Sequence, residues 1–216
     1  MELTAAAQWL NETFASLDLR IFTIFEEAFH QTELEPVWNV IYTAITRTCN
    51  GGLAVIFLSL FLMIFKKTRK AGTAMLLGIG IGAVFTNVAL KPLVARPRPY
   101  THTEMPFYQW WVHAGGLTET DKSFPSGHTT TAMSAMSGLF FVTNKKISWL
   151  AFLFALAVGM SRIFFFVHYP TDVFAGLITG LIAGLISGIL INWLYARLNS
   201  SLKTNYASFT FFKKKS

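Results

Sequence analysis

The run from Val173 to Tyr195 carries no charged side chain. It is the last of five apolar stretches, the others being Leu53–Phe65 with its flanks, Thr73–Leu90, Thr129–Val142 and Ile147–Val167. A helix needs ~20 mostly apolar residues to cross a bilayer, and each stretch reads as such a span. The expected fold is an all-α, polytopic membrane helix bundle. Composition agrees: 53% of residues are hydrophobic and 13% charged, against about 25% charged in an average soluble domain.

Residues 1–50 are harder to read. Trp9, Leu10, Phe14, Leu17, Phe22, Phe25 and Phe29 alternate with Glu12, Asp18, Arg20, Glu26 and Glu27, a pattern that suits a helix with one apolar face. Such a helix either lies in the membrane interface or crosses as a weak first span. Counting it gives about six transmembrane helices in one membrane-embedded domain over residues 1–216, with 203–216 as a basic cytoplasmic tail and Phe209–Ser216 as its interfacial anchor.

The net charge of +7 would suit a nucleic-acid partner, but its distribution does not. The basic residues gather between apolar runs, at Lys66-Lys67-Thr68-Arg69-Lys70, at Lys145-Lys146 and in the tail with Lys203 and Lys213–Lys215. Clusters of this kind mark a cytoplasmic membrane face. With all three inside, both termini are cytoplasmic. Lys91, the loop 92–125, Ser126–His128 and Arg162–Asp172 then share the extracytoplasmic face of the cell membrane. The expected partner is the bilayer, with no nucleic acid and no obligatory protein. The lone Cys49 excludes an internal disulfide and a cysteine-rich metal centre. The start Met1-Glu2-Leu3-Thr4 lacks the basic residues of a secretory signal, so no cleaved peptide is expected.

Two rows of small residues predict how the helices pack. Gly176, Gly180, Gly184 and Gly188 recur every four residues, and Thr130, Ser134 and Gly138 form a similar row. Each puts a small-residue stripe on one helix face, where a neighbouring backbone approaches closely.

Ionisable groups beside membrane spans are costly and default to functional candidates. Lys91 precedes Arg98 by seven positions, and Pro97 and Pro99 keep Arg98 on an extended segment. Ser126 and Gly127 come just before a helix, where free amides and the dipole favour an anion. Ser126 suits an N-cap. Arg162, His168 and Asp172 lie in an otherwise apolar region, and Asp172 is the only carboxylate after Asp121. With Pro170 opening a helix, Asp172 falls in its first turn, within reach of His168. A carboxylate on one imidazole nitrogen leaves the other free to attack; the alternative is a structural polar cap at the interface. Lys91, Arg98 and Arg162 together balance the charge of a phosphate monoester or diphosphate end. Glu104, Glu119 and Asp121 in the preceding loop read as solvated. His102 and His113 read as ordinary loop histidines, since no helical or acid-rich spacing joins them to other ligands.

Lys91 through Arg98-Pro99, then Pro125-Ser126-Gly127-His128, then Ser161-Arg162 through His168 to Asp172, resembles the three-part signature of the type 2 phosphatidic acid phosphatase superfamily. The likeness covers roughly residues 50–195. It implies a lipid phosphatase in which His168 attacks phosphorus and becomes a phosphohistidine. Asp172 orients that ring, and His128 protonates the leaving oxygen and then activates water. Lys91, Arg98 and Arg162, with the Ser126 hydroxyl and the Gly127 amide, hold the phosphate oxygens. No metal or cofactor is implied, because a two-metal phosphatase needs several carboxylates. Arg96 lies outside the signature and reads as a headgroup or loop residue. Phosphatidylglycerol phosphate is the first substrate expected, undecaprenyl diphosphate the second and phosphatidic acid the third; the motif itself does not rank them. A non-hydrolytic lipid-phosphate transporter or scramblase is the alternative of another class, and it would place its ionisable residues near the middle of broken spans. The soluble vanadium haloperoxidases share the residues but would need a polar exterior.

Overall fold

The computed structural model describes residues 3–48 and 50–201. Met1, Glu2, Cys49 and the tail from Leu202 lie outside the described residues, and with them what the sequence predicts for Cys49, for the basic tail over 203–216 and for its Phe209–Ser216 anchor.

All regular structure among the described residues is helical. Helix α1 (Ala5–Phe25) runs on into a π-helical turn, Glu26–His30. Next come α2 (Glu35–Thr48) and α3 (Leu53–Ile64), then α4 (Arg69–Ala83), which continues through a π-helical stretch, Val84–Leu90, into the short α5 (Lys91–Val94). Helix α6 (Pro106–His113) lies in the long loop, followed by α7 (Gly127–Val142), the single turn α8 (Lys145–Ser148), α9 (Ala151–Phe164) and α10 (Pro170–Ser201).

Among the described residues, three helical segments are long and apolar enough to cross a membrane: Arg69–Thr101, Lys145–Phe164 and Pro170–Leu198. A fourth arises if α2 and α3, bent by 56° at their junction, count as one broken span. The chain is a multi-pass membrane protein, but the stretch at Leu53–Phe65 differs from expectation. Its helix has 12 residues, about 18 Å at 1.5 Å per residue, too short to cross alone. The expected count of six would also need α1 and α7. At 16 residues α7 is short for a span. It is the central helix, packed by α4, α9 and α10.

The small-residue rows explain that centre. A Cβ added at Gly180 would lie 2.7 Å from Thr130 O, and one at Gly176 2.9 Å from Ser126 O. On the other side of α7, a Cβ at Gly78 of α4 would lie 2.7 Å from Ser134 O, and one at Gly138 2.7 Å from Ala74 O. Ser137 Oγ donates to Gly180 O at 3.1 Å, and Ser187 Oγ to Ala74 O at 2.6 Å. Backbones this close exchange dispersion contacts and side chain-to-backbone hydrogen bonds that lipid cannot offer. Helix α1 is no isolated surface helix: it packs on α5, α9 and α10. Phe22 and Phe25 join Tyr42, Phe107, Phe164, Phe165, Phe166 and Tyr169 in an aromatic core. The three consecutive phenylalanines, Phe164–Phe166, are core residues.

Helices α7 and α10 begin, and α4–α5 and α9 end, at the same end of the bundle. The clusters at Lys66–Lys70 and Lys145–Lys146 lie at the opposite ends of these helices. Replacing Gly184, where a Cβ would lie 2.6 Å from Gly138 N, by leucine should cost at least ~1–3 kcal/mol. Gly80→Leu, with nothing within 4 Å of its added Cβ, should stay within about 0.5 kcal/mol. Unfolding of both variants in detergent checks this; equal losses would contradict the packing assignment.

Candidate active site

The residues singled out in the sequence come from four helix ends. The π-helical stretch adds residues to the turn just before Lys91, a distortion common at functional sites. Arg98 is extended, with φ −74° and ψ 152°, as its flanking prolines require. Ser126 occupies the N-cap position of α7, ahead of Gly127 and His128. Arg162 lies in the last turn of α9, and Pro170 opens α10 with Asp172 in its first turn. Ser126 N–H donates to Asp172 O at 3.0 Å, which joins the two helix starts. The Ser126 hydroxyl does not cap α7; it accepts from Thr129 Oγ1 at 2.9 Å.

His168 is wholly buried. Its Nε2 lies 2.9 Å from Arg98 Nη1. A guanidinium only donates, so Nε2 accepts and, in the neutral ring, Nδ1 carries the proton. Nδ1 faces Ser123 Oγ at 3.5 Å and Asp172 Oδ2 at 3.8 Å. The second distance is too long for a hydrogen bond. Ser123 Oγ donates to Asp172 Oδ2, so the link from ring to acid runs through this hydroxyl rather than directly, as the sequence had suggested.

Arg96 is the largest departure from expectation. It is no headgroup residue: only 1% of it is exposed. Nη1 donates to Asp172 Oδ1 at 2.7 Å and to Thr171 Oγ1 at 2.8 Å, Nη2 to Asp18 Oδ2 at 2.9 Å, and Nε to Asn11 Oδ1 at 2.8 Å. Its guanidinium lies 3.7 Å from the centre of the Tyr169 ring. Asp18 also accepts from Thr171 N–H at 2.9 Å and Thr171 Oγ1 at 2.8 Å. A carboxylate of α1 therefore caps the start of α10 from outside.

The loop acids are also not free in solvent. Glu119 has a side chain only 19% exposed, at the centre of the cations. Its Oε2 lies 2.6 Å from Arg98 Nη2 and 3.6 Å from His168 Nε2. Its Oε1 accepts from Arg162 Nη2 and lies 3.7 Å from His128 Nδ1. Asp121, half exposed, takes Lys91 on one oxygen and Arg98 on the other. Burial pushes the Glu119 carboxyl up, but the charges of Arg162 and Arg98 outweigh it and hold Glu119 well below the usual carboxylate range. Burial likewise opposes Asp121, whose pairing with Lys91 and Arg98 lowers it on balance. Glu104 is exposed as expected, 3.3 Å from His102.

Of the eight residues named from the sequence, Lys91, Gly127, His128 and Arg162 line two neighbouring cavities that share Glu119 and His128, Arg98 lies on another side of Glu119, and Ser126, His168 and Asp172 are wholly buried. A cavity of about 530 Å³ runs from Lys91, Gly127, His128 and Glu119 toward Ile56, Ile79 and Thr86. A second, of about 440 Å³, joins Glu119, His128 and Arg162 to Thr46 and Phe165. Sequence reasoning missed Asp18, Thr46, Ser123 and Glu119. Asp18 carried a readable signal, an acid on the buried side of an amphipathic helix. Thr46, which accepts from Arg162 Nη1, carried none.

The family model described as the PAP2 superfamily matches residues 71–198. The chain is 31% identical over 159 residues to undecaprenyl-diphosphatase BcrC of Bacillus subtilis, covering 73% of this chain and 77% of that one. It superposes on the PAP2-type phosphatidylglycerolphosphate phosphatase of Bacillus subtilis with a TM-score of 0.64 and 25% identity, over 88% and 91% of the two chains. For Aquifex aeolicus LpxE the TM-score is 0.60 and the identity 28%, over 79% and 94%. With its signature residues gathered at one end of the bundle and its matched region filling more than half its length, this chain belongs to the PAP2 superfamily.

Proposed function

We propose that this lipid phosphatase removes a terminal phosphate at the extracytoplasmic membrane face, without a metal ion, through a phosphohistidine on His168. The observation that carries this reading is Glu119. Its carboxylate spans the gap between the two imidazoles and is gripped by Arg98 and Arg162. A dianionic phosphoryl group put there, in place of the carboxylate, meets Nε2 of His168 on one side and His128 on the other.

In the first step Nε2 attacks phosphorus and the bond to the leaving oxygen breaks, with His128 supplying that oxygen's proton. Lys91, Arg98 and Arg162 hold the non-bridging oxygens with the Ser126 hydroxyl and the Gly127 amide. Positive charge on the His168 ring is balanced through Nδ1–H, Ser123 and Asp172. In the second step His128 takes a proton from water, the hydroxide attacks phosphorus, the P–N bond breaks and inorganic phosphate leaves. Side-chain cations supply the positive charge, and each nearby carboxylate is already engaged by an arginine or lysine, which supports a metal-free reaction. Grouping of the charges at helix ends, not mid-span, speaks for hydrolysis over transport.

For the substrate we put undecaprenyl diphosphate first, on the 31% identity to the Bacillus subtilis undecaprenyl-diphosphatase. Phosphatidylglycerol phosphate, first on sequence alone, comes second, supported by the structural likeness to a phosphatase of that lipid. Phosphatidic acid remains third.

Phosphate release in detergent across these three lipids tests the assignment. Undecaprenyl diphosphate should give the highest kcat/KM. His168→Ala should abolish release, and His128→Ala should lower kcat by ~10²–10⁴. Release at the wild-type rate by folded His168→Ala protein would refute the nucleophile.

Because the substrate must displace Glu119, Glu119→Gln should lower KM by ~10- to 100-fold, the competitor's charge-assisted contacts being worth ~1.5–3 kcal/mol. A raised KM would mean that Glu119 assists binding instead. The lowered pKa of Glu119 also sets a pH dependence. The stability it contributes is complete above the unfolded glutamate pKa of about 4.3 and is lost as pH falls toward the folded value. The stability gap between wild type and Glu119→Gln should therefore be constant from pH 6 to 8 and shrink below about pH 4. A gap that widened in acid would contradict the ion pairs.

A further inference from the structure

His30, Glu35 and His113 meet away from the phosphate pocket, and none of the steps above uses them. They come from three helix ends: His30 closes the π-helical turn after α1, Glu35 is the first residue of α2, and His113 is the last of α6. The His30 side chain is fully buried. Its Nε2 lies 3.0 Å from Phe164 O. A carbonyl only accepts, so Nε2 carries a proton, and in the neutral ring the lone pair sits on Nδ1. That Nδ1 is buried and has no hydrogen-bond partner.

The orphaned lone pair faces Glu35 Oε1 at 3.6 Å, too far for a hydrogen bond. On the same oxygen, at 2.9 Å, sits Nε2 of His113. All three donor atoms lie within 4.8 Å of one another. Bonds of ~2.0–2.2 Å to a tetrahedral zinc ion separate its ligand atoms by roughly 3.3–3.5 Å, and 2.9 and 3.6 Å bracket that range. Two imidazoles and one carboxylate are a donor set suited to zinc and its neighbours rather than to magnesium or calcium. The Nε2–H bond to a backbone carbonyl is the outer contact that fixes the tautomer of a metal-ligating histidine. His113 is 55% exposed, which gives an ion a path in and leaves a position for water.

We propose that His30 Nδ1, Glu35 Oε1 and His113 Nε2 bind one divalent transition-metal ion of the zinc class. The ion ties the end of α1, the start of α2 and the loop helix α6 together. It does so against the turn Phe164–Phe166, because the His30 ring packs 4.3 Å from that of Phe164 and 5.5 Å from that of Phe166. Its role is to cross-link segments, so hydrolysis at His168 does not depend on it chemically. His113, set aside in the sequence because no spacing joined it to other ligands, gains them only through folding.

The test uses the full chain in detergent, stripped with a chelator and then freed of it. Zinc alone is titrated calorimetrically, and melting is followed with zinc and with magnesium. About one zinc per chain should bind, and zinc but not magnesium should raise the Tm by several degrees. His113→Ala and Glu35→Gln should each weaken binding at least ~10-fold and remove the Tm rise. His113 is exposed, so its variant should fold and melt normally without metal. Zinc binding equally tight in both variants, or no saturable binding by the wild type, would overturn the site.

Discussion

A buried guanidinium between two buried carboxylates holds this site together. Arg96 bonds Asp18 of α1 on one side and Asp172 of α10 on the other, with Asn11, Thr171 and the Tyr169 ring filling its remaining surroundings. Buried pairs gain little over apolar packing, but removing one partner costs about 3–5 kcal/mol, because a charge is left uncompensated. Arg96 thereby commits two distant segments to one geometry. It brings the N-terminal helix onto the start of α10, and it holds Asp172 where Ser123 relays its charge to the His168 ring.

Around that anchor the pocket is a meeting of helix ends. Short, small-faced contacts among α4, α7 and α10 let three backbones approach, and so bring Lys91, Ser126, Gly127 and Asp172 together. The cost of collecting Lys91, Arg98 and Arg162 in one low-dielectric place is offset by Glu119 and Asp121. Those two acids answer for the resting charge balance that an incoming phosphate would otherwise supply. On the proposed reading, binding is an exchange of one anion for another rather than the filling of a vacant positive cavity, and affinity is moderated accordingly.

Much of this was legible in the sequence. Charge-free runs announced membrane helices, since apolar length alone decides that. Proline chemistry put Arg98 on an extended segment and Asp172 in a first turn. The glycine rows announced backbone contact, and the helices meet along them. What stayed hidden depends on contacts between segments far apart in sequence. Arg96 looks like any loop arginine until Asp18, 78 positions earlier, lies beside it. Glu119 looks solvated because nothing local shows that its loop folds back over the cations. Leu53–Phe65 looks like a span because hydropathy does not register that its helix bends into α2. The signature residues were readable as a set because their types and spacing are fixed by chemistry. Their supports were not, because many arrangements of distant partners serve equally well.

The central claim is a covalent phosphorus–nitrogen bond at one buried imidazole. Rapid quenching under alkaline conditions during turnover of a phosphate-labelled lipid, followed by peptide mass spectrometry, tests it most directly. The account predicts label on His168 alone, stable to alkali and lost in acid. Label on Ser126, or no protein-bound phosphate while release proceeds and quenching is faster than turnover, would contradict it.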